Sequence, residues 1–225
     1  MNLKKRVFVS ITGRTQKEWE SKLKEIEEFN IKKIALFLEI YPLGQRRKIY
    51  EALLNSCVKS IPLVHIRSDM KRGELKFLQK NFKSNCFTIH ECSFRHLKEW
   101  RGFYKKLYLE MNKDNKIPKE VDVSKIGGFC VDLSHFKAEE ELWSKEFEYI
   151  IQRSGVHKYF KCNHLNGYDY KTNSDLHTVT SLKQFSYLKT LPEFAFGKYI
   201  AIETFNSIKE QLKFKDYVIK LLGQK

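Results

Sequence analysis

Short apolar runs rich in β-branched and aromatic residues alternate with stretches of helical period along the whole 225-residue chain, and that alternation admits few folds. Strands separated by helices pair in parallel, with the helices covering the outside of the sheet. The pattern predicts strands at Arg6–Thr12, Ile34–Ile40, Ile61–Ile66, Cys86–His90, Leu107–Glu110, Gly128–Asp132, Tyr159–Asn163 and Tyr199–Glu203. Between them it predicts helices at Gln16–Phe29 (N-capped by Thr15), Gln45–Ser56, Gly73–Asn81, Phe94–Phe103, Ala138–Arg153, Ser181–Thr190 and Ile208–Leu222. The polar stretch Asn112–Lys125, with Pro118 in its middle, is not expected to form a full helix. Eight strands and a closing helix, with no linker or internal repeat, imply a single-domain α/β (β/α)8 TIM barrel over residues 1–225.

In such a barrel the strands' C-terminal ends carry the chemistry, because the loops there vary without disturbing the packed interior. Five of the seven histidines (His65, His90, His135, His164, His177) fall at or just past those ends, accompanied by Glu110, Asp132, Asp175 and Glu203. Any one of these has a structural explanation, as a hydrogen-bonded histidine or an ion-pair partner. Nine groups of metal-ligand type at successive strand exits imply a convergent metal site instead. Asp175 and His177 are two apart, so an extended segment points both toward one ion. Imidazole with carboxylate and no thiolate suits zinc, manganese or iron and argues against a closed structural zinc.

The net charge of +15 would draw a polyanion, or reflect only the abundance of lysine on helix faces. Arg67, Lys71, Arg72 and Lys161 are candidates for phosphate contacts, hence for nucleic-acid binding, and each reads equally as an ordinary surface cation. The five cysteines contain no C-x-x-C pair and read as reduced thiols. No apolar run approaches the roughly 18 residues of a membrane span, and the start is too polar for a secretory signal, so a cytoplasmic protein is expected.

The order of the ligand-type residues is specific. His on strand three, His on four, Glu on five, Asp-x-x-His on six, His-Leu-Asn on seven, Asp-x-His in the next loop and Glu-Thr on eight resembles endonuclease IV, the AP endonuclease family 2 branch of the xylose-isomerase-like barrels. The resemblance implies a metal-dependent phosphodiester hydrolase acting on DNA through up to three zinc ions, with manganese as a possible substitute. His65, His90 and Glu110 would hold one ion. Asp132, His164 and Glu203 would hold a second, sharing Glu110, and His135, Asp175 and His177 the third. Asn163, Asn166 and Asp169 are candidates to orient these ligands. The chain departs from the family where Ile66-Arg67-Ser68-Asp69 replaces bulky DNA-wedging residues and where Met111-Asn112-Lys113-Asp114 follows the strand-five glutamate.

A sugar isomerase or epimerase of the same superfamily is the alternative. It would use Glu110, Asp132, His164 and Glu203 around one divalent ion, with Glu110 and Glu203 as the catalytic proton-transfer pair and Glu39 as a substrate contact. A barrel that binds without turnover is the third reading.

Overall fold

The computed structural model describes residues 3–223. Nine strands form one parallel sheet: β1 (Val7–Phe8), β2 (Ser10–Ile11), β3 (Ala35–Phe37), β4 (Leu63–His65), β5 (Cys86–His90), β6 (Leu107–Glu110), β7 (Gly128–Asp132), β8 (Phe160–Leu165) and, last in the chain, β11 (Tyr199–Ile202). β1 and β2 are two halves of the first strand, separated by Val9 alone. β1 pairs with β11 (Val7 beside Ile200) and β2 with β3 (Ser10 beside Ala35), so the two ends of the sheet meet in one strand and the sheet closes as an α/β TIM barrel.

Side chains alternate across each strand, and the closed sheet makes one set inward. Phe8, Ala35, Phe37, Leu63, Cys86, Tyr108, Cys130, Cys162, Tyr199 and Ala201 form an apolar cluster inside the barrel. The opposite set, among them Val7, Val9, Ile11, Leu36, Val64, Phe87 and Ile89, packs with the helices in the larger core. Three of the five cysteines are therefore buried interior residues with free thiols.

Helices in the connections between strands cover the sheet. α1 (Gln16–Glu28) starts at a capping box: Thr15 accepts from the Glu18 N–H, and Glu18 accepts from Thr15. α2 (Leu43–Leu54), α3 (Arg72–Phe82) and α6 (Ile208–Leu222) lie where expected, to within two residues at most ends.

Four elements depart from the sequence-based expectation. The helix expected at Phe94–Phe103 is a 3-10 run from Glu91 to Trp100; residues 91, 94, 97 and 100 turn inward, a spacing of three. The helix expected at Ser181–Thr190 is likewise a 3-10 run, Leu182–Lys189, burying Phe185 and Leu188. One expected helix, Ala138–Arg153, is two: α4 (Leu133–Leu142) and α5 (Lys145–Ile151). The chain breaks at Trp143 (φ 51°), where Ser144 caps α5 and Asn115 accepts from the Lys145 N–H. Finally, the long connection after β8 folds into an antiparallel hairpin, β9 (Gly167–Asp169) and β10 (Ser174–Leu176). No helix among the described residues is long and apolar enough to cross a membrane.

Gly128 opens β7 with φ 135°, and a Cβ there would lie 2.2 Å from the Tyr159 carbonyl oxygen, itself main chain. Gly128→Ala therefore combines a strained dihedral with a backbone clash and should lower stability by about 3 kcal/mol or more, a fall in Tm of about 6–12 °C for a chain this size. Gly155→Ala, where no atom lies within 4 Å of the added carbon, is the control and should melt like the wild type. Matching melting curves for the two variants would refute this account of the β7 entry.

Candidate metal centre

The inward face of five strands passes, two residues on, from the apolar plug to a polar group: Leu63 to His65, Tyr108 to Glu110, Cys130 to Asp132, Cys162 to His164 and Ala201 to Glu203; on β5 it runs from Cys86 through Thr88 to His90. Parallel register then sets His90 beside Glu110 and Asp132 beside His164. His164 lies within β8 and not in the loop after it, because that strand runs two residues further than its composition suggests.

The ligand atoms of His65, His90 and Glu110 lie within 4.8 Å of one another, and those of Glu110, Asp132, His164 and Glu203 form a second such group. Glu110 belongs to both. Its Oε2 is 3.6 Å from His65 Nδ1 and 3.0 Å from His164 Nδ1, while Glu203 Oε2 is 3.4 Å from the same His164 nitrogen. A third group adjoins these through Asp132: His135 Nε2 is 3.8 Å from Asp132 Oδ2 and 3.7 Å from Asp175 Oδ2, and His177 Nε2 is 3.2 Å from Asp175 Oδ2. All nine residues expected at the site are thus brought together.

Local structure aims them. Asp132 ends β7 and caps α4: its Oδ1 accepts from the Ser134 and His135 N–H groups and the Ser134 hydroxyl, leaving Oδ2 for the cluster. The cap also places His135 on the first turn of α4, which explains the Asp-x-x-His spacing. Asp175 and His177 stand on and just after β10, and Lys113 pairs with the Asp175 carboxylate. His177 Nδ1 faces the Glu203 carbonyl oxygen at 3.3 Å, which turns its Nε2 toward Asp175.

Of the three groups expected to orient ligands, only Asn166 does so, donating to Asp132 Oδ2 (2.7 Å) and Glu203 Oε2 (3.3 Å). Asn163 instead holds main chain together, donating to the Val131 and Ala195 carbonyls. Asp169 accepts from Lys171 and Thr172 in the hairpin turn, because a short polar side chain there closes the turn.

The electrostatics are those of a crowded anionic pocket. Burial, reinforced by Glu110 and Asp132 against His164, holds the Glu203 carboxyl well above the usual range. Burial acts on Glu110 too, but His164 and His65 outweigh it and keep that carboxylate ionised. Burial raises Glu39, at the edge of the cluster, to about 7. His65 falls well below the usual histidine value through burial. Both nitrogens of His65, Nε2 of His164, and Nδ1 of His90 and of His135 are buried and make no hydrogen bond among the described residues, while Glu110 Oε2 and His164 Nδ1 face each other at ion-pair distance. Buried polar atoms without partners are rare and unfavourable. Here they converge, and a divalent cation is the species that satisfies such donors.

The four cations expected on flanking phosphates are placed differently. Lys161 is the second residue of β8, three before His164, so it faces the barrel's opposite mouth, where its ammonium lies 5.9 Å from the Tyr108 ring centroid. Arg67 pairs with Asp69 and donates to the Ile40 carbonyl, and Lys71 pairs with Glu99. Arg72 lies at the start of α3 beside Gly102. None of the four lines the cavity of about 240 Å³ above the ligands. Its wall includes Thr12, Gly13 and Arg14 from the first strand's exit and Phe205 from the last, together with Glu39 and Ile40. Sequence reading passed over Arg14 and Phe205 because they are far apart in the chain and meet only through the β1–β11 closure.

No protein-family model matches the chain, and no curated protein matches it. Among solved structures, the crystal structure of a D-tagatose 3-epimerase-like protein is similar, with a TM-score of 0.54 and 15% identity over 98% of this chain and 99% of that one. At that identity the likeness is one of fold alone, an α/β TIM barrel.

If Glu110 is shared by two ions, Glu110→Gln should reduce bound metal by more than one ion per chain, whereas His135→Ala, confined to the third group, should remove about one. Elemental analysis of the folded variants reads this directly. Equal losses in the two variants would exclude a shared carboxylate.

Proposed function

We propose that this chain is a metal-dependent phosphodiester hydrolase resembling endonuclease IV, with a multinuclear centre and DNA as its substrate. One observation carries the reading: six donors converge in overlapping groups, with Glu110 among the shared residues, and His135, Asp175 and His177 adjoin them through Asp132. His65, His90 and Glu110 would hold one ion, Glu110, Asp132, His164 and Glu203 a second, and His135, Asp175 and His177 the third. The donor set of imidazole and carboxylate without thiolate fits zinc, and manganese next. Bound there, divalent ions would supply Lewis acidity toward phosphate oxygens and make water acidic near neutral pH.

The chain's own residues hold that arrangement. Asn166 and the α4 cap restrain Asp132, and the Glu203 carbonyl restrains His177. Lys113 offsets charge on Asp175. Ile40 and Phe205 add apolar surface to the cavity wall. The net charge of +15 supports a polyanionic substrate, since phosphates would be concentrated at the surface.

A second reading, a sugar or sugar-phosphate isomerase or epimerase, is favoured by the fold likeness to a D-tagatose 3-epimerase-like protein. Glu110, Asp132, His164 and Glu203 would surround its one ion, with Glu110 and Glu203 flanking the substrate as the proton-transfer pair. The other five donors have no part in that chemistry, and for this reason the hydrolase reading stands first.

The two readings separate in one assay pair. The hydrolase reading expects metal-loaded protein to cleave bis(p-nitrophenyl) phosphate and oligonucleotides, with loss on chelation and a fall of about 10²–10³-fold in Glu110→Gln. Protein that holds a single ion per chain, leaves both esters intact and interconverts ketohexose C3 epimers by NMR would establish the second reading and overturn the first.

A further inference from the structure

The lysines behind the net charge are not confined to helix faces: each strand position of the barrel is entered through one. Lys5 precedes β1, Lys33 β3, Lys59 β4 and Lys83 β5. Lys106, Lys125, Lys158 and Lys198 precede β6, β7, β8 and β11 in turn. Parallel strands all start at one end of a barrel, so these residues gather around the mouth opposite the metal centre, the mouth that Lys161 also faces.

Several of the ammonium groups rest on rings instead of carboxylates. Lys33 Nζ lies 4.6 Å from the Phe8 ring centroid and 5.9 Å from that of Tyr199, and Lys198 Nζ stands 5.5 Å from the same Tyr199 ring. Lys106 and Lys158 lie 5.7 Å from the rings of Phe103 and Tyr159. Of these strand-entry lysines only Lys125 has a carboxylate within ion-pair distance among the described residues, Asp122 at 3.6 Å. Burial, then the neighbouring Lys198, lowers the Lys33 ammonium from its ordinary value, as like charges do when no acid stands between them. The other acids at this end are outnumbered: Glu27 and Glu28 close α1, Glu51 closes α2, Glu148 lies on α5 and Glu193 stands by Arg6. Three large apolar side chains are exposed at the same end, where the chain leaves a helix for the next strand: Phe29 (40%), Leu54 (52%) and Val156 (38%).

We propose that this end of the barrel is a docking surface for an anionic lipid bilayer, with the lysines meeting lipid headgroups and Phe29, Leu54 and Val156 entering the headgroup layer. Cations set around a barrel mouth present their charge on one plane, which suits a planar surface of diffuse negative charge. A polynucleotide is tracked along a groove with bases stacked on open rings, whereas here Phe8 and Tyr199 are buried beneath their lysines. Lysine, a hydrated point charge, carries the surface; the guanidinium of Arg6, whose fork would suit single phosphates, is spent on the Phe196 and Gly197 carbonyls. The metal centre lies at the opposite mouth and would face away from the bilayer, so docking is independent of the reaction run there.

The test is co-sedimentation of the full chain with phosphatidylcholine vesicles containing about 30% phosphatidylserine, beside vesicles of phosphatidylcholine alone. The wild type should pellet with the first and not with the second, and salt at about 0.5 M should release most of it. Lys33→Glu/Lys59→Glu/Lys198→Glu should weaken binding by about tenfold or more. Lys17→Glu/Lys171→Glu/Lys183→Glu changes the net charge equally at the metal-centre end and should bind within about twofold of the wild type. Phe29→Ser/Leu54→Ser should weaken binding about threefold or more, because less apolar surface enters the headgroup layer. Melting curves taken in parallel should show every variant folded. A wild type that stays in solution beside the phosphatidylserine vesicles would overturn the proposal, as would equal weakening by the two lysine triples. Binding of fluorescein-labelled single-stranded DNA that is lost in the Lys33→Glu triple, without vesicle binding by the wild type, would also overturn it and assign the surface to a polynucleotide.

Discussion

A closed parallel barrel forces alternate side chains of every strand inward, and the candidate site depends on that constraint. The interior is wide enough for side chains to fill, and here the lower layers are filled by Leu63, Cys86, Tyr108, Cys130, Cys162 and Tyr199. Two residues further along four of these strands, and four further along β5 and β11, the same inward direction delivers a histidine or an acid. The plug therefore does more than exclude water: it sets the height at which the ring of histidines and acids begins. It also supplies the low-dielectric floor that burial of His65, His164, Glu110 and Glu203 requires.

That floor makes the ring expensive. Carboxylates and imidazoles packed within 4.8 Å of one another, several of them with no hydrogen bond, are unfavourable in a dry interior unless a cation joins them. Lys113 meets only Asp175, at the outer edge, and Asn166 is neutral. Opposed shifts at Glu110 and Glu203, one carboxyl held low and the other high, are the response of the protein alone to this crowding. The cluster and the barrel consequently differ in origin: hydrophobic burial builds the barrel, and the barrel compels groups together that would separate in water.

Much of this was legible along the chain. Period-two and period-3.6 patterns located the eight strand positions and α1, and Thr15 marked the first helix start. The nine ligand-type residues were legible because strand exits in a barrel converge, whatever their separation in sequence. Legibility failed where a local pattern had competing solutions. The Ala138–Arg153 period continues through Trp143, but Ser144 and Asn115 capture the backbone N–H groups of the next turn and break it. The three-residue spacing of Glu91, Phe94, Leu97 and Trp100 overlaps the helical period over so short a span, and packing chose the tighter helix. Lys161 was misplaced because its strand begins later and ends later than its composition suggests, which moves a lysine from the site to the opposite mouth.

The sequence by itself determined the fold class and which histidines and acids meet at the strand exits, because strand period and residue chemistry are local properties that survive without knowledge of contacts. Tertiary structure alone decided the rest. Sharing of Glu110 between two groups depends on the register of β6 with its neighbours, and the role of Asn166 depends on a side chain that spans from the residue after β8 to Asp132 and Glu203. Arg14 and Phe205 sit 191 positions apart and meet only because the first strand closes on the last. A linear sequence carries no signal of such a meeting, since neither residue constrains the other until the barrel is shut.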